Sequence, residues 1–337
     1  MAAETLFIVN PISGNGKQKN IQAVLENHLD FDRFSPTVLF THCQGHATEL
    51  SREAIGKYEY VIAVGGDGTV NEVAKGIVGS DIVMGIIPVG SGNGLARHLN
   101  IPMNTTEAVK VLNKCLQMKM DTIKINGELS VNVSGIGFDA FVAHKFSTNG
   151  KRGPIPYVKI AATEFQHYKS QAYQITVDGK IQYNNAFMIS IANSSQFGNN
   201  ALISPEAKVD DGLIDLCILS DFPKVEAPAL ASRLINKTIH KSKFMEIIRG
   251  KNIRIDTNHP LICHIDGEPK TFDDMLNIEL VPSSLNMIYN DEIQKPVITA
   301  LEKDIVNLLS PRPKKKATLI DKAKKAMLPK QKNVDDK

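Results

Sequence analysis

The 337-residue chain has no tryptophan, 6% aromatic residues and four cysteines, and no apolar run approaches the roughly 18 residues that a helical membrane span needs. A helical membrane protein is therefore excluded. Met1-Ala2-Ala3-Glu4-Thr5 leads straight into the strand-like Leu6-Phe7-Ile8-Val9, without the basic region and apolar core of a secretory leader, so a cytoplasmic location is expected. Cys43, Cys115, Cys217 and Cys263 are scattered, with no CxxC pair. They mostly lie in apolar segments, which reads as buried thiols and not as disulfides or zinc ligands. The net charge is also small, 39 Lys and Arg against 36 Asp and Glu.

What cationic excess there is gathers at the end. From Pro311 the chain reads Pro-Arg-Pro-Lys-Lys-Lys and continues through Lys322, Lys324, Lys325, Lys330, Lys332 and Lys337. A solvated tail is the plain reading. The sharper one is that Leu319, Ile320, Ala323, Met327 and Leu328 form the apolar side of a short helix whose lysines meet anionic headgroups, a peripheral contact at the inner membrane surface. No aromatics interleave this basic block, so nucleic acid is not an expected partner.

The length suits two domains, each able to bury a core. Through residue 120, strand-like runs at 6–9, 37–41, 60–64 and 83–87 alternate with helical spacing at 21–29, up to 55, 73–78, 95–99 and 106–118. Short apolar strands separated by helices predict a parallel, doubly wound sheet with its functional loops at the strands' carboxyl ends. From Asp121 the runs become short and β-branched, as at 129–133, 173–177, 186–191, 213–219, 252–255 and 261–265, with helical interruptions at 155–169 and 225–237. The expected division is an α/β nucleotide-binding domain at 1–124, a β-rich substrate domain at 125–290, a closing segment at 291–310 and the tail at 311–337.

The strand at 60–64 runs into Gly65-Gly66-Asp67-Gly68-Thr69-Val70-Asn71-Glu72. Glycine has no Cβ and tolerates positive φ, so backbone N–H groups can converge on phosphate oxygens near a helix N-terminus. Asp67 is then out of place unless it meets a cation or handles a proton. An Asx turn or helix cap is the plain alternative.

This loop, taken with Asn10-Pro11-Ile12-Ser13-Gly14, Pro88-Val89-Gly90-Ser91-Gly92-Asn93-Gly94-Leu95-Ala96-Arg97, Asp211-Gly212-Leu213-Ile214-Asp215 and Ile265-Asp266-Gly267-Glu268, resembles the diacylglycerol kinase catalytic-domain family in both motif and order. The resemblance covers about residues 5 to 290. It implies an NAD kinase/phosphofructokinase-like α/β domain, a β-rich, sandwich-like second domain, and an active site between them that uses ATP and Mg²⁺. Asn10, Pro11, Ser13, Gly14, Thr41, Gly65, Gly66, Asp67, Gly68, Thr69, Val70, Asn71 and Ser91 match positions that hold the nucleotide. Lys17 is either a further phosphate contact or an exposed surface lysine. Asp67 would bind Mg²⁺ directly or through water.

Glu268 matches the proton acceptor, with Asp266 its rival; in a regular strand both would face one side, whereas a turn at Gly267 would let only one enter the cleft, and a plain hairpin turn also explains the stretch. Lys208 and Leu213 through their carbonyls, and Asp211 through its carboxylate, match a second Mg²⁺ site of some bacterial members; an ordinary Asp-Gly turn explains them equally. Asp139 is either a headgroup contact or a turn or capping residue. Gly94 stands where many diacylglycerol kinases carry an acid. The Gly-Ser-Gly-Asn form leans toward sphingosine kinases, while Gly65 to Thr69 and Gly135 to Ala140 lean toward diacylglycerol kinases. The expected activity is phosphorylation of a hydroxyl on a diacylglycerol-like or sphingoid lipid at a membrane surface. An NAD kinase and a catalytically silent nucleotide- or lipid-binding regulator are the alternatives, and a homodimer is left open.

Overall fold

The computed structural model describes residues 1–14, 20–148 and 154–293. Lys17, the segment expected to close the fold beyond residue 293 and the basic tail lie outside them. Four strands, β1 (Ala3–Val9), β2 (Phe34–Phe40), β3 (Tyr60–Gly65) and β4 (Val83–Pro88), lie parallel in the order β4-β3-β1-β2. Residues 5–9 of β1 are buried without alternation, as expected of a central strand covered on both faces. The covering helices are α1 (Ile21–His28) with α5 (Thr105–Lys114) and α2 (His46–Glu53) with α3 (Asp67–Ile77), and the short α4 (Gly94–His98) follows β4.

Two expected boundaries move. Residues 67–72 are not loop but the opening turn of α3. Gly66 is extended and hands β3 directly to the helix, and the carboxylate of Asp67 suits a helix N-terminus. At the other boundary α5 stops at Lys114, where Cys115 takes a left-handed φ of 54°. Residues 117 and 118, expected as helix, therefore start a strand.

That strand is β5 (Gln117–Ile125), followed by β6 (Glu128–Ser130), β7 (Val133–Gly137), α6 (Phe138–Thr148), α7 (Pro154–Glu164), β8 (Gln171–Val177) and β9 (Lys180–Ala192). Then come β10 (Ile214–Ser220), α8 (Ala227–Ile235), β11 (Met245–Gly250), β12 (Asn252–Asp256), β13 (Leu261–Ile265), β14 (Glu268–Phe272) and β15 (Met275–Ile288). Pairing within this half is antiparallel. Asp178 and Gly179, at φ 46° and 83°, make the two-residue turn that the sequence signals between β8 and β9. The apolar faces meet in a core that includes Ile123, Ile136, Ile175, Ile189, Leu216, Ile255 and Cys263. Of the four thiols, Cys217 and Cys263 are buried, Cys115 is half-buried and Cys43 is exposed; all are free. Cys43 departs from expectation: it is exposed in the connection between β2 and α2.

The two halves share strands. β15 pairs with β12 along its first part, with β5 from Ile278 to Ile288 across a register shift and, at Asn286 and Met287, runs parallel to β4. The expected division at 124 falls inside β5. Asp121 secures the register shift in β15 by accepting the Ser283 N–H at 2.7 Å, and its other oxygen takes the Gly212 N–H at 2.8 Å.

Between the halves lies a buried polar seam. Residues 193–196, Asn-Ser-Ser-Gln, follow β9 and are almost wholly buried. Asn193 donates to the carbonyls of Asp121 and Val131, and the Ser195 N–H reaches Nδ1 of His98 at 3.2 Å. Burial holds the His98 imidazole down to about 4, in keeping with a ring nitrogen used as an acceptor. The folded pKa thus lies below the unfolded one, so stability is complete above about pH 6.5 and falls as pH drops toward 4. Chemical denaturation at pH 7 and pH 4.5 is expected to show a loss on the order of 3 kcal/mol from this group, and His98→Asn should flatten that part of the slope. An unchanged slope in the variant would remove His98 as its source.

Candidate active site

The loops after β1, β3 and β4 converge at the carboxyl ends of their strands. The Asn10 N–H bonds the Val64 carbonyl at 3.0 Å, and its side chain donates to Thr69 Oγ at 3.1 Å while accepting the Ile12 N–H at 3.1 Å. Asn10 thereby ties the first loop to the opening turn of α3. The second and third loops touch backbone to backbone, since a Cβ on Gly90 would lie 2.5 Å from Gly66 Cα. Only glycine permits that approach. Thr41, buried, takes its place through an N–H bond to the Val9 carbonyl at 2.9 Å. Ser13 donates its N–H to the Asn10 carbonyl at 3.3 Å, while Pro11 and Ser91 lie at the surface.

Asp67 points across this junction. Its Oδ2 takes the Asn93 N–H at 2.8 Å and its Oδ1 the Gly94 N–H at 2.7 Å, so it organises the Gly-Ser-Gly-Asn-Gly loop instead of capping its own helix. A side chain at Gly94 would collide with Asn132 and the Gln196 carbonyl; the acidic residue expected there in many diacylglycerol kinases has no room. Burial pushes the Asp67 pKa up, opposed by the two N–H groups and reinforced by the charge of Asp266.

From the second half, β13 and β14 turn tightly through Asp266 and Gly267, at φ 49° and 91°. The two carboxylates on this hairpin have different surroundings. Asp266 is buried; its Oδ1 takes Ser130 Oγ–H at 2.7 Å and the Asn132 N–H at 3.0 Å, and its Oδ2 takes the Asn71 amide at 2.8 Å and the Val131 N–H at 2.9 Å. Its acceptor sites are filled. Glu268 is half-exposed, and its Oε1 accepts one hydrogen bond, from Gln44 at 3.3 Å, and lies 3.9 Å from where a Cβ on Gly68 would stand. Glu268 thus faces the glycine cradle from across the cleft.

The remaining candidates are elsewhere. Asp211 is exposed and accepts the Leu213 N–H at 3.1 Å, closing an Asp-Gly turn; partial burial pushes its pKa up against that bond. Lys208 is exposed one residue before the buried Val209. Among the described residues no three His, Cys, Asp or Glu side chains gather as metal ligands. A site built on carbonyls and one carboxylate does not depend on such a cluster. Asp139 is buried against His264 at 3.2 Å and is not exposed to meet a headgroup. Sequence reasoning missed Gln44, Asn132, His264 and the 193–196 seam. The seam had a legible signal, a polar run ending an apolar strand.

A model of the family described as "Diacylglycerol kinase catalytic domain" matches residues 4–125, and one described as "YegS C-terminal NAD kinase beta sandwich-like domain" matches residues 132–289. The chain is 30% identical over 284 residues to the Klebsiella pneumoniae protein named "Probable lipid kinase YegS-like", covering 80% of this chain and 92% of that one. It is 25% identical over 273 residues to "Diacylglycerol kinase" of Bacillus subtilis, covering 78% and 88%. A crystal structure of a diacylglycerol kinase from Bacillus anthracis superposes with a TM-score of 0.68 at 25% identity, covering 87% and 98%. Among the described residues no helix is long and apolar enough to cross a membrane.

The contrast between the hairpin carboxylates is measurable without an assay. Asp266→Asn, which puts an amide NH₂ among four donors, is expected to cost about 1–3 kcal/mol of stability, whereas Glu268→Gln should change it by less than about 0.5 kcal/mol. Equal thermal melting of the two variants would contradict the assigned environments.

Proposed function

The chain belongs to the diacylglycerol kinase catalytic-domain family and is a lipid kinase; from that premise we propose that it moves the γ-phosphate of ATP, with Mg²⁺, to a hydroxyl of a diacylglycerol-like or sphingoid lipid, with Glu268 as proton acceptor. The observation that carries this reading is the position of the Glu268 carboxylate, 3.9 Å from the Cβ site of Gly68 on the opening turn of α3. The rival carboxylate of Asp266 has no acceptor site left for a substrate proton.

The N–H groups and hydroxyls of the glycine loops would hold the nucleotide phosphates, and the Asn10 amide fixes the Thr69 hydroxyl at the opening of α3. The lipid oxygen attacks the γ-phosphorus, the bond to the β–γ bridging oxygen breaks, ADP leaves, and the hydroxyl proton passes to Glu268. Bound Mg²⁺ neutralises charge on the transferring phosphate. Asp67 suits it as a ligand, most simply through water, because each of its oxygens already takes one backbone N–H yet keeps a lone pair. Burial, and after it the neighbouring charge of Asp266, pushes the Asp67 pKa up, and a cation there would offset both. The family relationship and the order of the lipid-kinase motifs favour lipid phosphorylation over the NAD kinase and silent-regulator alternatives.

Labelled ATP, Mg²⁺ and a mixed lipid extract, with products identified by mass spectrometry, test the proposal. A phosphorylated lipid is expected; transfer to NAD alone would overturn it. In single-turnover measurements Glu268→Gln should slow transfer by about 10²–10⁴, and Asp67→Ala should nearly abolish it in a protein that remains folded. A larger loss in Asp266→Asn than in Glu268→Gln, at matched folded protein, would transfer the role of base to Asp266.

A further inference from the structure

Behind the hairpin that carries Glu268 lies a buried hydrogen-bonded His–Asp pair that phosphoryl transfer, as derived above, does not use. His264 and Asp139 are 4% and 8% exposed. β13 sets His264 opposite Gly135 of β7, and a Cβ on Gly135 would stand 2.6 Å from Asp139 Oδ2. That glycine makes the space through which the carboxylate reaches the ring. Asp139 Oδ1 takes the Ala140 N–H at 2.8 Å, and Oδ2 faces His264 Nε2 at 3.2 Å. On its other side the ring presents Nδ1 to the Gly267 N–H at 3.2 Å.

These contacts specify one tautomer. Nδ1 must be bare to accept from Gly267, so the proton sits on Nε2, where Asp139 receives it. The Gly267 amide belongs to the peptide unit that joins Asp266 to Gly267, in a turn of only two residues. Its orientation sets the direction in which the chain leaves for Glu268. Asp266 holds the near side of the turn through its side chain and through its N–H to Ser134 Oγ at 3.1 Å; His264 holds the far side.

We propose that His264, kept in its Nε2–H tautomer by Asp139, is a positioning residue that fixes the Gly267 amide and so aims Glu268 at the lipid hydroxyl. This inference rests on the reading of Glu268 as base. A proton on Nδ1 would set two N–H groups against each other and force the turn to move. Because near-attack geometry is steep, with a displacement of about 1 Å able to cost about 100-fold, the effect falls on turnover and not on substrate affinity.

Transfer from labelled ATP to the mixed lipid extract, with ATP and extract varied in turn, is measured for His264→Gln, His264→Leu, Asp139→Asn and Glu268→Gln, each at matched folded protein. Glutamine can accept from Gly267 and donate to Asp139, so H264Q is expected to keep kcat within about 3-fold of the parent. H264L and D139N should lose about 10- to 100-fold in kcat, with KM for ATP and for extract within about 3-fold. The asparagine of D139N can accept at one oxygen only, and so cannot serve both Ala140 and His264.

Ring ¹⁵N resonances of His264 give a readout independent of activity: a bare Nδ1 and a protonated Nε2 in the parent, disturbed in D139N. That measurement and the D139N kinetics decide the matter even if H264L fails to fold. Parent-like kcat in D139N or folded H264L beside an inactive E268Q overturns the inference and leaves the base assignment standing. A rise in extract KM alone in D139N places the effect of Asp139 on lipid binding and not on the aim of Glu268, and a parent ring protonated on Nδ1 removes the premise; either overturns it too. Full activity in E268Q overturns the base assignment and the inference with it.

Discussion

The carboxylate of Asp266 is the constraint on which the cleft depends. It gathers the amide of Asn71 from α3, the hydroxyl of Ser130 at the end of β6, and the N–H groups of Val131 and Asn132. One buried anion thereby ties the helix that opens the glycine cradle to the hairpin that carries Glu268. Burying a carboxylate is costly unless its lone pairs are met, and here each is met by a donor. Losing any of these donors would loosen the register between cradle and hairpin. Asn71 contributes twice, since its amide also reaches the Leu129 carbonyl at 3.1 Å.

Asp67 and Asp266 share a chemistry but have opposite uses. Asp266 spends its acceptor sites on the protein, whereas Asp67 takes one backbone N–H on each oxygen and retains capacity. Burial above all, with the charge of Asp266 added to it, raises the pKa of Asp67. The shared strands β5 and β15 connect the halves through a ladder that is broken between Val281 and Leu285 and pinned there by Asp121. The seam around His98, Asn193 and Ser195 adds a second connection. The cleft is framed by these two junctions, and Gln44 crosses its mouth to reach Glu268.

Much of the architecture was legible in the chain. Alternating apolar runs and helical spacing indicated the parallel sheet β4-β3-β1-β2, because each strand there is short, apolar and bounded by glycine or polar loops. The Asp178-Gly179 turn was legible for the same local reason. The start of α3 was not, because glycine at 65, 66 and 68 reads as loop until Thr69 and Asn71 are seen bonded within the fold. Residues 117 and 118 read as helix until β15 supplies them with a partner. The exposure of Cys43 likewise depends on its place in the connection between β2 and α2, not on its apolar neighbours.

By itself the sequence determined the class of chemistry: three glycine-bearing loops after three strands, each with polar side chains at the turn, are local arrangements that backbone sterics and phosphate charge already dictate. It also placed Asp266 and Glu268 two residues apart, on a strand or on a turn at Gly267. Only the tertiary structure decided that their carboxylates differ, one saturated and one open to the cleft. The donors that fill Asp266 lie 195 and 136 residues away at Asn71 and Ser130, and no local pattern can report a hydrogen bond made at that separation. The same holds for His264, whose ring acquires its partners, Asp139 and Gly267, only when β13 is laid beside β7.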